Sequence, residues 1–127
     1  MNVALWCILI AIILPYVCTA VAKISGGYGL RHNHDPRGFL YSLEGLGKRA
    51  HAAQLNSFEV APAFAAAVLV AHLVGNAELV TLNVLAVLFI TSRLLFIIFY
   101  LADWATLRSL VWFVGMGLIV SFFVVSV

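Results

Sequence analysis

The sequence predicts an all-α integral membrane protein built as a bundle of four transmembrane helices. Hydrophobic residues make up 65% of the 127 residues and charged residues only 9%, with a mean hydropathy of +1.12. A soluble domain of this length would need about a quarter of its residues to be charged, so lipid must be the solvent of this chain. Four apolar stretches approach or reach the ~20 residues that a helix needs to cross a bilayer.

The four stretches are expected to be helices rather than strands. Lipid cannot satisfy the backbone groups of isolated strands, and no stretch shows the alternating pattern of a barrel wall. The chain is therefore interpreted as one domain, residues 1–127, with helices at 3–22, 36–74, 78–102 and 107–127.

The second helix is expected to begin before the membrane. Asp35 and Pro36 provide an N-cap followed by proline at the first helical position. A helix from there to Val74 would be about 58 Å long, which exceeds the bilayer, so its first half should project from the membrane. Gly75 and Asn76 then provide a tight turn into an antiparallel third helix.

The basic residues predict the orientation of the chain. Five of the seven lie in the segment that joins the first two helices: Lys23, Arg31, Arg37, Lys48 and Arg49. By the positive-inside rule this segment faces the cytoplasm, which places both termini outside the cytoplasm.

An alternative interpretation treats the first apolar stretch as a cleaved signal peptide. The segment Ala20-Val21-Ala22 resembles a small-residue cleavage site. No positive charge precedes Val3, however, and this topology would put the basic segment outside, so a first transmembrane helix is favoured.

Three other kinds of site receive little support. The net charge of +2 and the lack of a basic run with interleaved aromatic residues argue against nucleic-acid binding. Cys7 and Cys18 lie about three helical turns apart and cannot form a disulfide, so they are interpreted as small buried hydrophobic residues. His32, His34 and Asp35 lie in a glycine-rich segment where such residues are usually solvated, so no metal site is assigned.

A single arginine lies near the middle of the third apolar stretch. A guanidinium stays ionised and costs at least about 2.5–3.5 kcal/mol in hydrocarbon, so Arg93 needs a compensating partner. Glu59 lies at a matching depth in the second helix, and we expect it to be the counter-ion of Arg93. By itself, such a pair would be compatible with a purely structural role in fixing helix register.

The second helix carries a polar stripe that becomes apolar deeper in the membrane. Arg49, Asn56 and Glu59 share one side of a helix that turns 100° per residue. The deeper part is a ridge of small residues: Ala63, Ala67 and Ala71. Such a ridge favours close packing against another helix.

More cationic and polar donors are expected at this level than one carboxylate can use. Arg93 and Tyr100 share a face of the third helix by their spacing, together with Phe96. Arg49 and Arg108 approach the same level from the second and fourth helices. Because guanidinium groups only donate hydrogen bonds, this excess predicts a bound anion.

At these residues the chain resembles the MAPEG family, the membrane-associated proteins in eicosanoid and glutathione metabolism, and its short bacterial branch in particular. The resemblance rests on the segment from Arg49 to Glu59 with Pro62 following, on Arg93 through Asp103, and on the segment 107–112. It covers nearly the whole chain. It implies a protein of the bacterial inner membrane that assembles as a homotrimer and holds glutathione between protomers on the cytoplasmic side.

The resemblance also implies roles for single residues. Those that match glutathione-binding positions are Arg49, Asn56, Glu59 and Arg93. Those that match positions near the thiol are Tyr100 and Arg108, where a cation or a phenol stabilises the nucleophilic thiolate. Family enzymes have an arginine four residues before the asparagine, where this chain has Ala52, so Arg49 would have to substitute for it.

Three functions are compatible with the sequence to different degrees. The leading one is a glutathione-dependent transferase or peroxidase, with glutathione as co-substrate, acting on a lipophilic electrophile that enters from the bilayer. The second is a non-catalytic trimeric membrane protein that binds a membrane lipid or a partner in the same cleft. The third is a small multidrug-type transporter, which is disfavoured because those proteins carry a lone glutamate in a first helix that is uncharged here.

Overall fold

The computed structural model describes all 127 residues as helices joined by short connections. In chain order the helices are α1 (Val3–Gly26), a 3-10 helix (Leu30–His34), α2 (Pro36–Tyr41), α3 (Gly45–Val74), α4 (Leu79–Leu101) and α5 (Ala105–Val124). Four of them, α1, α3, α4 and α5, are long and apolar enough to cross a membrane. The prediction of an all-helical chain with four helices able to span a membrane is therefore confirmed.

The single helix predicted over 36–74 is interrupted, and α2 and α3 are separate helices. The start is as expected, because Asp35 accepts a hydrogen bond from the Gly38 N–H at 3.0 Å and Pro36 is the first helical residue. The chain leaves the helix after Tyr41, and α3 begins at Gly45 with a left-handed φ of +60°. A continuous projecting helix of about 58 Å does not form.

The interruption buries two leucines against the bundle. Leu40 and Leu43 form a small apolar cluster with Ala22 of α1 and Ala50 of α3. The fit is close, because a Cβ atom at Gly26 would clash with the Leu43 side chain. Burying a leucine is worth about 1.5–3 kcal/mol, and a straight helix would carry both side chains away from α1.

The first helix is longer than expected. It continues to Gly26, past the predicted end at residue 22, and stops where Gly27 adopts a left-handed φ of 73°. Glycine adopts this left-handed conformation without the steric strain that a Cβ atom would cause, so the helix ends at Gly27.

The four long helices run up and down, so that their ends meet in two groups. At one end, which we call the basic end (residues 27–44 and 102–104), the Arg49 Nε donates to the Leu101 carbonyl at 3.2 Å. At the opposite end (residues 1–2, 75–78 and 125–127), Asn76 donates to the Ser126 carbonyl at 3.2 Å. Both termini therefore lie at the same end of the bundle.

A hydrogen-bonded chain at the opposite end ties α1 to α3. The Asn2 Oδ1 accepts the Leu5 N–H, so the Asn2 Nδ2 is the atom that faces His72 Nε2, at 2.9 Å. His72 Nε2 must therefore accept, and its Nδ1 carries the proton that it donates to the Val68 carbonyl at 2.7 Å. The tautomer of His72 is thus fixed by the capping bond of Asn2, and the histidine serves helix packing.

Small side chains let α1 and α3 approach closely. The buried stripe of α1 contains Ala4, Cys7, Ala11, Cys18 and Ala22. Both cysteines are free and buried, as predicted. In a membrane, where hydrophobic burial contributes little between helices, such close contact supplies the packing energy.

The alanine ridge of α3 is used within the chain. Ala67 and Ala71 are buried in the main apolar core together with residues of α1 and α4, whereas Ala63 is exposed. The ridge therefore packs against another helix, as expected. Because Ala67 and Ala71 already contact residues of the same chain, they are not free to contact a neighbouring protomer.

Three phenylalanines join α3, α4 and α5. The rings of Phe64 and Phe89 stack with centroids 4.1 Å apart, and the Phe122 ring meets Phe64 edge-on at 5.9 Å. All three side chains are fully buried. Only Phe122 and Gly115 are buried on α5, so this cluster is the main anchor of that helix.

Replacing Phe122 by alanine is therefore expected to lower the free energy of unfolding by about 3 kcal/mol, because it leaves a cavity beside two aromatic rings. The matched control is Phe123→Ala, since this neighbouring ring is 47% exposed and should change stability by less than about 1 kcal/mol. Unfolding of both variants in detergent micelles measures the difference. Equal losses would show that the cluster does not anchor α5.

Candidate functional site

The buried arginine of α4 is satisfied by neutral oxygen atoms. Arg93 is 4% exposed, and its Nη2 donates to the Asn56 Oδ1 at 2.8 Å and to the Ser57 Oγ at 3.2 Å. Its guanidinium also lies over the Phe96 ring, 4.1 Å from the centroid. Hydrogen bonds from a charged donor and a cation–π contact each offset part of the cost of burying the charge.

The expected pairing of Arg93 with Glu59 is wrong within the chain. Glu59 is exposed, and the one ion pair of the structure is the surface pair Lys48–Glu44 at 3.9 Å. The cause is the rotation of α3. Because Ser57 faces α4, a residue two positions later is turned by about 200° and faces away.

Arg93 begins a row in which two aromatic rings lie between two guanidinium groups. The Phe96 and Tyr100 rings meet edge-on with centroids 5.5 Å apart, and the Arg108 guanidinium lies 4.4 Å from the Tyr100 centroid. The prediction that Arg93, Phe96 and Tyr100 share one face of α4 is confirmed. The row extends this face across the α4–α5 connection to the start of α5.

A cavity of about 310 Å³ opens beside this row, between α3, α4 and α5. Its lining residues are Asn56, Phe96, Tyr100, Arg108, Ser109, Trp112 and Phe113. This volume is at the lower end of the range for small-molecule sites, and the walls combine apolar rings with a few polar groups, as such sites do.

The structure brings together some of the six predicted site residues and separates others. Asn56, Tyr100 and Arg108 line the cavity, and Arg93 is hydrogen-bonded to Asn56 without lining it. Arg49 and Glu59 do not line the cavity.

Arg49 occupies the end of α4. Its bond to the Leu101 carbonyl places a cation at the C-terminus of that helix, where the helix dipole favours positive charge. Leu101 follows Tyr100 directly, so Arg49 lies next to the residues of the cavity rim. The other guanidinium nitrogen atoms of Arg49 make no hydrogen bond to the chain and remain available to an anion.

Several residues of this region are not among the site residues predicted from the sequence. Ser109, Trp112 and Phe113 line the cavity from α5. A signal was available for Trp112, which follows Arg108 by four residues and shares its face, whereas Ser109 and Phe113 lie further round the helix. Gln54 is a different case. Its Oε1 is buried without a hydrogen-bond partner, and no sequence pattern indicates this.

The charge at the cavity is positive. Neither Arg93 nor Arg108 forms an ion pair with a carboxylate of the chain. The site therefore presents cationic donors without carboxylate partners, which is an arrangement that attracts an anion. No group of three histidine, cysteine or acidic side chains is placed to hold a metal ion.

The Asn56 contact is expected to be needed for stability. Asn56→Leu removes the shorter of the two hydrogen bonds to a buried charge, which should lower the free energy of unfolding by about 2 kcal/mol. Thr91→Val is the matched control, because its hydroxyl bonds only to the Val87 carbonyl of the same helix. Thermal unfolding in detergent compares the two variants. If Asn56→Leu is as stable as the wild type, Arg93 relies on another partner.

Comparison with known proteins gives one finding. A family model described as the MAPEG family matches residues 3–127. No curated protein matches the chain. No solved structure matches it.

The match spans all four long helices and every residue of the cavity. Family membership and the four apolar helices together identify an integral membrane protein. The chain belongs to the MAPEG family.

Proposed function

We propose that the protein is a membrane-embedded glutathione-dependent transferase or peroxidase that acts on a lipophilic electrophile. The observation that carries the proposal is the convergence of Asn56, Tyr100 and Arg108 on one cavity, where the Arg108 guanidinium has no carboxylate partner. Members of the family generally use glutathione. Glutathione carries two carboxylates, which are natural partners for free guanidinium groups.

In this proposal Asn56 binds glutathione and Arg93 positions Asn56. The Asn56 Oδ1 is occupied by the Arg93 Nη2, so the Asn56 Nδ2 is the group left to donate to a ligand. Arg93 is thereby a positioning residue with no direct contact to the cavity. Arg49 binds a carboxylate of glutathione from the rim of the cavity. It thereby substitutes for the family arginine, whose position is occupied by Ala52 in this chain.

Arg108 and Tyr100 form the catalytic pair. Both line the cavity, and the guanidinium packs on the phenol ring, so a cation and a hydroxyl donor face the same space. The bound thiol loses its proton to solvent, and the thiolate is stabilised by these two groups. In conjugation its sulfur forms a bond to carbon as the leaving group departs with its electron pair. In peroxidase turnover, two glutathione molecules are oxidised to glutathione disulfide while one hydroperoxide is reduced to an alcohol and water.

The second substrate enters from the lipid in this proposal. Phe113 lines the cavity and is 68% exposed on the outer face of α5, next to Trp112. Their rings provide an apolar route between the bilayer and the thiolate. A lipophilic electrophile therefore reaches sulfur without entering water.

We also propose that the working form is a homotrimer. Glu59 is an exposed carboxylate in a membrane-spanning helix. A second copy packed on this side of α3 would shield Glu59 from lipid, where a charge costs at least about 2.5 kcal/mol. Glu59 would then be available to the ammonium group of glutathione at the protomer boundary. The basic residues of the α1–α3 connection favour a cytoplasmic basic end in a bacterial inner membrane.

The catalytic role is tested with purified protein, glutathione and a chlorodinitrobenzene electrophile. Arg108→Ala is expected to lower kcat/KM for conjugation about 100-fold or more, because a donor to the developing negative charge is lost. Arg37→Ala is the control, because Arg37 is exposed in α2 and does not line the cavity. The assignment fails if Arg108→Ala conjugates as well as the control.

Glutathione binding is tested without turnover. S-methylglutathione cannot ionise at sulfur, yet it should stabilise the fold by about 1.4 kcal/mol at ten times its Kd. Asn56→Ala should weaken this stabilisation, whereas Arg37→Ala should leave it unchanged. A thermal unfolding temperature that does not respond to millimolar ligand would instead favour the non-catalytic lipid- or partner-binding function.

A further inference from the structure

The α1–α3 connection contains a second cavity that is separate from the first. It has a volume of about 440 Å³ and shares no lining residue with the cavity beside Tyr100. Its polar lining residues are Arg31, His32, His34, Asp35 and Ser42. The connection joins the ends of two membrane-spanning helices, so this cavity lies at the level of the lipid headgroups.

The cavity is held open by packed side chains. The Phe39 ring lies 4.5 Å from the His32 ring and meets the Tyr28 ring edge-on at 5.1 Å. The Leu43 side chain packs so closely on Gly26 and Gly47 that a Cβ on Gly26 would clash. These contacts fix the floor of the cavity before any ligand binds, which reduces the entropic cost of binding.

Arg31 and His32 leave hydrogen-bond donors free in this cavity. The His32 Nδ1 accepts the Gly29 N–H at 2.9 Å, so the neutral ring carries its proton on Nε2, which has no partner in the chain. Arg31 makes no ion pair and no hydrogen bond to the chain. The Asp35 Oδ1 accepts the Gly38 N–H at 3.0 Å as the cap of α2, and its Oδ2 is the one carboxylate oxygen of the lining without a partner in the chain.

Apolar side chains project beside these donors. Leu30, which directly precedes Arg31, is 93% exposed, and Ile24 at the end of α1 is 82% exposed. Tyr41 is also largely exposed. At a membrane surface such residues contact acyl chains, so a ligand of this region combines an anionic group with hydrocarbon.

We propose that this cavity binds the phosphate of an anionic phospholipid. Arg31 and the Nε2 of His32 donate to the phosphate oxygens, since a guanidinium matches phosphate geometry through paired hydrogen bonds. The acyl chains lie along Leu30 and Ile24. The site is independent of the glutathione cavity, and its occupation would hold the connection between α1 and α3 against the membrane.

The proposal is tested by titrating delipidated protein in neutral maltoside micelles with phosphatidylglycerol. The readouts are bound lipid by native mass spectrometry and the unfolding temperature. A neutral micelle lacks the surface potential that attracts every basic residue to an anionic membrane, so only a built site should respond. Arg31→Gln is expected to weaken binding about tenfold, whereas phosphatidylcholine should bind equally weakly to the wild type and this variant.

The matched control is Arg37→Gln, which removes the same charge from the same connection at a residue that does not line the cavity. It should change the apparent Kd for phosphatidylglycerol less than twofold. Equal losses for Arg31→Gln and Arg37→Gln would overturn the proposal in favour of general charge attraction. Inorganic phosphate that stabilises the protein as well as phosphatidylglycerol does would overturn it in favour of a free anion site. Far-ultraviolet circular dichroism verifies that both variants keep their helical content.

Discussion

The placement of Arg93 is the constraint on which the rest of the site depends. A permanently charged group is buried between membrane helices, and its charge is met by the Asn56 and Ser57 oxygens and by the face of the Phe96 ring. Each contact comes from a fixed position on α3 or α4, so the guanidinium sets how these two helices are turned relative to each other. Tyr100 and the cavity follow from that setting.

The two ends of the bundle differ in how they are held together. At the opposite end, hydrogen bonds from asparagines join α1, α3 and the C-terminal residues, and the aromatic cluster of Phe64, Phe89 and Phe122 fixes α5 just below. At the basic end, no residue in the first turns of α5 is buried, and Arg108 is held by its contact with the Tyr100 ring. The rigid end thus supports an end that is open to ligands.

Sequence reasoning succeeded where the cause is local. Hydropathy revealed the four spans, and helical periodicity placed Arg93, Phe96 and Tyr100 on one face, because both depend on residues close in the chain. It failed where distant residues decide. The partner of Arg93 depends on the rotation of α3, which the small residues of α1 determine by packing. The break before Gly45 likewise depends on contacts between Leu43 and the distant Gly26.

The position of Phe113 determines which concentration of a lipophilic substrate is relevant to the proposed site. Its ring lines the cavity and is also exposed on the outer face of α5. Under the proposed function, a substrate dissolved in the bilayer therefore reaches the site by diffusing in two dimensions. The relevant quantity for such a molecule is its mole fraction in the membrane, not its amount per volume of water. Added lipid or detergent would therefore dilute such a substrate even when the bulk solution is unchanged, and compounds that are almost insoluble in water could still saturate the proposed site.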